Sequence, residues 1–95
     1  MTKTDRTRNA YLMRKYGITL DQYNDMLVDQ GHACKLCSQE FRTDFNGWKP
    51  VVDHDHDTKE IRGIIHSACN YAIGVIAETS EARSRLAVYF NMTSV

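Results

Sequence analysis

The hydrophobic positions change period along the chain, and each change marks a new element. From Arg6 to Tyr16, Ala10 and Met13, with Tyr11 beside them, fall on one side of a helix built of good helix formers, and Gly17 is placed to end it. Thr19 to Gln22 reads Thr-x-x-Gln, in which a hydroxyl and a side-chain amide satisfy the free amides of a helix start. Leu20, Tyr23, Met26 and Leu27 then recur at helical spacing up to Gly31. Between Ala33 and Val52 the periodicity disappears, and Cys34, Cys37, Asn46, Gly47 and Pro50 mark turns. Val51 and Val52, and then Ile61, Ile64 and Ile65, are β-branched and flank the polar stretch Asp57-Thr58-Lys59. They predict a short antiparallel hairpin with His54 to His56 at its bend. Two closing helices are expected, with Ser67 as N-cap ahead of Ala68, Ala72, Val75 and Ile76, and Ser80 as N-cap ahead of Ala82, Leu86, Tyr89 and Phe90. The expected class is α+β.

Ninety-five residues suffice for one small domain and not for two. Within it we expect a basic helical segment over 1–17, a core over 18–77 and a C-terminal helix over 78–95. No apolar run approaches the ~18 residues a membrane span needs. Met1 to Arg8 is basic and polar with no apolar stretch behind it, so no secretory signal and a cytosolic location are expected. Net charge is zero, which excludes a uniformly basic nucleic-acid coat, but the charge is unevenly spread. Met1 to Tyr16 holds Lys3, Arg6, Arg8, Arg14 and Lys15 against Asp5, a balance of +4, and the remainder carries −4. That segment suits contact with phosphate and equally suits a solvated helix face.

Three cysteines cannot pair completely, and a domain this small gains from a metal where its core is thin. Cys34-Lys35-Leu36-Cys37 and His66-Ser67-Ala68-Cys69 are two knuckles with two-residue gaps that use every cysteine. Four such ligands make a closed tetrahedral zinc site with no vacant position for water, hence a structural one. The competing reading makes Cys69 a buried core thiol and His66 the end of a strand. His32 is the rival fourth ligand, and Lys35 and Arg42 are near enough in sequence to offset the cluster's charge. Asp53-His54-Asp55-His56-Asp57 concentrates three carboxylates and two imidazoles. Carboxylate oxygens suit Mg²⁺ or Mn²⁺, and a neutral histidine can take a proton from water, the two requirements of metal-assisted hydrolysis. By spacing alone a second zinc or nickel site and a solvated turn fit as well. Arg62 reads as a bidentate phosphate grip or an edge-strand arginine. Trp48 and the tyrosines read as core in preference to base-stacking platforms.

The order Cys-x-x-Cys, Asp53-His54-Asp55-His56, Arg62-Gly63, His66-x-x-Cys69-Asn70, preceded by Tyr16-Gly17-Ile18-Thr19-Leu20-Asp21-Gln22-Tyr23, resembles the recombination endonuclease VII family of phage nucleases, within the ββα-metal (His-Me finger, HNH-type) group. The resemblance covers about Tyr16 to Ile76, and its combination of motifs is specific where each piece alone is not. It implies that hairpin and following helix grip one divalent ion while the zinc knuckles fasten them together. Asp53 and Asn70 match the ligands of the catalytic ion, His54 the general base, and His56 a second histidine that orients groups or contacts the scissile phosphate. Lys59 and Arg62 match positions that contact the nucleic-acid backbone. Without the resemblance, Asn70 reads as a surface amide.

This chain departs from the family in having His66 where a cysteine is common, which leaves a competent zinc site of altered charge. It also ends at Val95, before the long region that builds an extended dimer in junction-resolving relatives, so the expected reaction is nicking more than paired cuts across a branch point. The expected protein is a zinc-stabilised ββα-metal domain with added N- and C-terminal helices that hydrolyses DNA with Mg²⁺ or Mn²⁺, leaving 5′ phosphate and 3′ hydroxyl, in the host cytoplasm if phage-encoded. A homodimer, a phage or host protein partner and an RNA substrate stay open. The rival is a non-catalytic zinc module binding DNA or a protein; zero net charge weighs against tight unspecific DNA binding without a metal bridge.

Overall fold

The computed structural model describes residues 1–92. Helices α1 (Lys3–Tyr16) and α2 (Leu20–Asp29) are followed by a 3-10 turn at Asn46–Trp48. Strands β1 (Pro50–His54) and β2 (Ile61–His66) precede helices α3 (Ser67–Ile76) and α4 (Ser80–Met92). No helix among the described residues is long and apolar enough to cross a membrane. The last residues of the expected C-terminal segment, 93–95, lie outside the described residues.

α1 begins earlier than its apolar residues suggest, because the Thr2 hydroxyl accepts the Asp5 N–H at 3.0 Å and caps the helix start. It ends as expected. Gly17 takes a left-handed conformation, φ 74°, and its N–H reaches the Leu12 and Met13 carbonyls. The inward face differs from the expected one. Asp5, Asn9, Leu12 and Tyr16 point inward while Ala10, Tyr11 and Met13 are exposed. Asn9 explains the rotation: its carboxamide oxygen accepts the Leu20 N–H at 2.7 Å, binding α1 to the start of α2. There Thr19 and Gln22 form both bonds of the expected capping box.

The core lies between these two helices and the hairpin. Leu12, Leu20, Tyr23, Val52 and Ile64 are its buried centre, with Tyr16, Ile18, Met26, Leu27, Phe41 and Ile61 packed around it. Ile64 has no exposed surface, and each such residue contributes about 1.5–3 kcal/mol by leaving water. Gly63, Ile64, Ile65 and His66 are all buried instead of alternating. Both faces of β2 are covered, Ile64 by the α1/α2 core and Ile65 in a groove shared with Ile73 and Leu86 of the last two helices.

The strands pair antiparallel, Val51 with Ile65, Val52 with Ile64 and Asp53 with Gly63. His54 then pairs with Ile61, so a bulge leaves Arg62 as the extra residue on β2. His54 is therefore the last residue of β1, and only Asp55 and His56 of the expected trio belong to the bend. The bend is built by Asp55, whose carboxylate accepts the Asp57 and Thr58 N–H groups at 2.8 and 3.0 Å. Those bonds, Thr58 first, hold its carboxyl below the ordinary carboxylate range.

Neither closing helix uses its expected serine cap. The α3 cap position is His66, whose ring is engaged elsewhere, and the Ser67 hydroxyl donates to the Asn46 carbonyl of the 3-10 turn. α4 is capped one residue earlier than expected, by Thr79, which accepts the Ala82 N–H at 3.0 Å.

Candidate metal centre and the cleft beside it

Four side chains from two separate stretches of the chain meet at one point. The Sγ atoms of Cys34, Cys37 and Cys69 and a ring nitrogen of His66 all lie within 4.8 Å of one another. Among the described residues this is the only cluster of three or more His, Cys, Asp or Glu that could hold a metal. Cys34 Sγ is 3.9 Å from Cys69 Sγ, and His66 Nδ1 is 3.8 Å from Cys69 Sγ and 3.1 Å from Cys37 Sγ. Tetrahedral zinc, with bonds of about 2.3 Å to sulfur and about 2.0–2.1 Å to nitrogen, sets its ligand atoms about 3.5–3.8 Å apart. The donor set fits zinc. His32 is exposed and outside the cluster.

The surroundings prepare each ligand. His66 Nε2 lies 2.9 Å from the Glu40 carbonyl, which can only accept, so Nε2 carries the proton and Nδ1 turns its lone pair to the thiols. The Phe41 and Trp48 rings flank the imidazole at 5.1 and 5.0 Å. Trp48 thus packs against a ligand, yet stays partly open at 38 % exposure instead of entering the core. Cys34 Sγ accepts N–H groups from Cys37 and His66, both at 3.4 Å. Burial pushes the Cys34 thiol up, but those backbone donors outweigh it and bring it down to about 7. Cys69 is pushed up to about 12, by burial first and then by the two neighbouring thiols.

The first knuckle is seated directly on β2. The Lys35 N–H donates to the Ile64 carbonyl at 3.1 Å, and a Cβ at Gly63 would meet Lys35 Cγ at 2.9 Å, so only glycine admits the approach. The Gln30 side chain completes the junction, donating to the Ala33 and Ile64 carbonyls and accepting the Ile64 N–H at 2.8–2.9 Å. Nothing in the local sequence marks this glutamine, because Ile64, which it bonds twice, is 34 residues away. Arg42 is spent on Asp44 at 2.8 Å rather than on the cluster.

Beyond the cluster, Asp53, His56, Arg62 and Asn70 line one open cleft of about 300 Å³ together with Glu78. Hairpin and α3 thus bring four of the sequence-marked residues together. Arg62, aimed by the bulge, makes a bidentate contact to buried Asp53, Nε to Oδ2 at 2.8 Å and Nη2 to Oδ1 at 3.0 Å. That contact raises the Arg62 pKa further. His56 Nε2 is 3.5 Å from the Glu78 carboxylate. Glu78 was not legible, since it sits in the α3–α4 junction where an acidic residue reads as an ordinary helix-start charge. His54 is outside the lining but adjoins it, its ring 5.2 Å from that of His56 and edge-on to Tyr16 at 5.7 Å. Its imidazole makes no hydrogen bond or ion pair with the described residues. Lys59 lies apart, exposed in the hairpin turn with φ 66°.

Two curated phage proteins are similar to this chain. The Gene 59 protein of Mycobacterium phage L5 is 35% identical over 81 residues, and that of Mycobacterium phage D29 is 32% identical over 79; each alignment covers 82% of this chain and 46% of the relative. The chain therefore spans about half the length of the curated relatives it matches. No solved structure matches it. The family model for recombination endonuclease VII matches residues 9–92, from the middle of α1 through α4 and across both the metal cluster and the cleft, and the chain belongs to the recombination endonuclease VII family.

Proposed function

We propose that this chain is a DNA endonuclease domain of the ββα-metal type, with a structural zinc ion and one catalytic divalent ion. The observation that carries the reading is the single cleft lined by Asp53 and His56 of the hairpin and Asn70 of α3, with the unpaired His54 ring against it. Family membership supports the same reading.

Zinc held by Cys34, Cys37, His66 and Cys69 would be structural: these four residues would fill its coordination, and it would fasten the first knuckle and β2 to α3. Asp53 and Asn70 would hold Mg²⁺ or Mn²⁺ through their oxygens, and the ion would supply charge stabilisation to the reacting phosphate. His54, whose ring nitrogens have no hydrogen-bond partner in the protein, takes the proton of the attacking water. The water oxygen bonds to phosphorus as the bond to the 3′ oxygen breaks; the 3′ oxygen takes up a proton, leaving 5′ phosphate and 3′ hydroxyl ends. His56 faces the phosphate and is oriented through its contact with Glu78. Arg62 and Lys59 contact the backbone, with Arg62 able to exchange one Asp53 oxygen for a phosphate oxygen.

Conversion of supercoiled plasmid to nicked or linear form, with and without Mg²⁺ and alongside His54→Ala, tests the reading. Metal-dependent cleavage lost in a folded His54→Ala protein is expected. Affinity for DNA without cleavage, in zinc-loaded protein given Mg²⁺ or Mn²⁺, would replace it with a non-catalytic binding module.

A further inference from the structure

Helix α1 carries five of the chain's twelve Lys and Arg residues. None of the five is neutralised: the ion pairs among the described residues are Arg42–Asp44, His56–Glu78 and Arg62–Asp53. The helix's one acid, Asp5, lies on its inward side. Lys3, Arg6, Arg8 and Arg14 line an open groove of about 890 Å³ whose other wall is Pro50, Val51 and Val52 of β1. Two of its cations, and Lys15 beside it, stand against aromatic rings. Arg8 lies over Tyr23 at 5.5 Å and Arg14 over Tyr11 at 6.0 Å, while Lys15 Nζ is 3.1 Å from the Tyr11 hydroxyl. The groove also leads toward the cleft, because Tyr16, which lines it, stands edge-on to His54.

From Lys3 to Arg14 the helix rises about 16 Å, which matches roughly five base-pair steps of a duplex. Guanidinium groups suit phosphate oxygens by shape as well as charge. The rest of the chain carries −4, so a polyanion is drawn to this face and repelled from the others. We propose that the groove between α1 and β1 is a backbone-binding track that seats duplex DNA to one side of the bond presented to His54. This deepens, and rests on, the nuclease reading above. It divides the work: the cleft engages the reacting phosphate, and α1 supplies sequence-independent affinity and sets the direction in which the duplex leaves the site.

The test measures anisotropy of a labelled duplex of about 20 base pairs with the zinc-loaded full chain, without Mg²⁺, from about 50 to about 200 mM NaCl. The quadruple variant Lys3→Gln/Arg6→Gln/Arg8→Gln/Arg14→Gln is compared with a charge-keeping Lys3→Arg/Arg6→Lys/Arg8→Lys/Arg14→Lys variant. Four lost phosphate contacts should lower the slope of log affinity against log salt by about 3–4 and weaken binding at least about tenfold at low salt. The charge-keeping variant should retain the slope. Unchanged slope and affinity in a folded quadruple variant overturn the track, as does polyglutamate displacing the duplex at equal charge, which reassigns the groove to an acidic protein. Plasmid nicking separates the two readings. A wild-type slope that the quadruple variant loses, without cleavage by either, supports the track and removes the nuclease; cleavage by both with unchanged slope removes the track alone.

Discussion

Two histidines twelve residues apart on the same hairpin occupy opposite environments. His66 is 3 % exposed and has both nitrogens committed, Nε2 to the Glu40 carbonyl and Nδ1 to the thiols. His54 is half-buried, touches Tyr16 and His56 through ring edges and faces, and has neither nitrogen bonded to protein. The first environment fixes a tautomer; the second leaves both ring nitrogens open to a group from outside the chain. The same contrast separates the two sites. The metal cluster is held by the knuckle, β2 and α3 with its polar atoms satisfied, whereas the cleft contains a half-exposed His56–Glu78 pair. They are nevertheless neighbours in sequence, because Cys69 and Asn70 are adjacent in the first turn of α3. Order at one supplies position at the other.

The strongest way to break the contrast is to remove the ordered half. Cys37→Ser, or chelation of zinc, should abolish cooperative thermal unfolding near 25 °C, since metal affinity is coupled to folding in domains this small; circular dichroism melts check it. Acid should act in the same direction. With Cys69 at about 12 in the absence of an ion, binding must displace its proton, so affinity falls as pH falls, by about tenfold or more per unit. A zinc competition titration from neutral to mildly acidic pH reads this, and a pH-independent affinity would contradict the thiolate site.

Next in size is the open half. His54→Ala should lower kcat about 10²–10⁴-fold with zinc content and melting temperature unchanged. Ile64→Ala should cost about 2–5 kcal/mol in denaturant unfolding, because the cavity opens where core and knuckle share one strand; kcat should change little once the protein is folded at low temperature. The smallest effect is expected from Glu78→Gln. It keeps the size of the side chain but removes the carboxylate that stands 3.5 Å from His56 Nε2, and should reduce kcat about threefold to tenfold with the melting temperature unchanged. An unchanged kcat would leave Glu78 as a surface residue.

The elements were legible wherever the signal is local. Thr19 and Gln22 cap α2, Gly17 ends α1, and two β-branched runs form the hairpin, because each depends on residues within a few positions. The four residues of the cluster that could hold a metal were legible for a related reason: a two-residue gap between ligands is a geometric requirement that the sequence displays directly. What escaped depends on distant partners. The face of α1 was misassigned because Asn9 bonds to the start of the next helix, a polar tie that apolar periodicity does not register. The serine caps failed by one residue at α3, where the cap position belongs to a metal-facing histidine, and at α4, where Thr79 is better placed. The Arg62–Asp53 contact escaped because it depends on the bulge that makes Arg62 the extra residue of β2. Glu78 and Gln30 carried no local mark at all.

The Gln30 amide has a consequence for the protein in crowded solution. A two-stranded sheet leaves its outer backbone groups open as a template for a foreign strand, a liability in a hairpin so rich in β-branched residues. On the outer side of β2 the Ile64 N–H and carbonyl are both claimed, by one glutamine side chain and by the Lys35 N–H. A side chain thereby stands in for a third strand at the most buried residue of the hairpin. Its loss would expose an adhesive edge, so that Gln30 guards against self-association as much as it adds to stability.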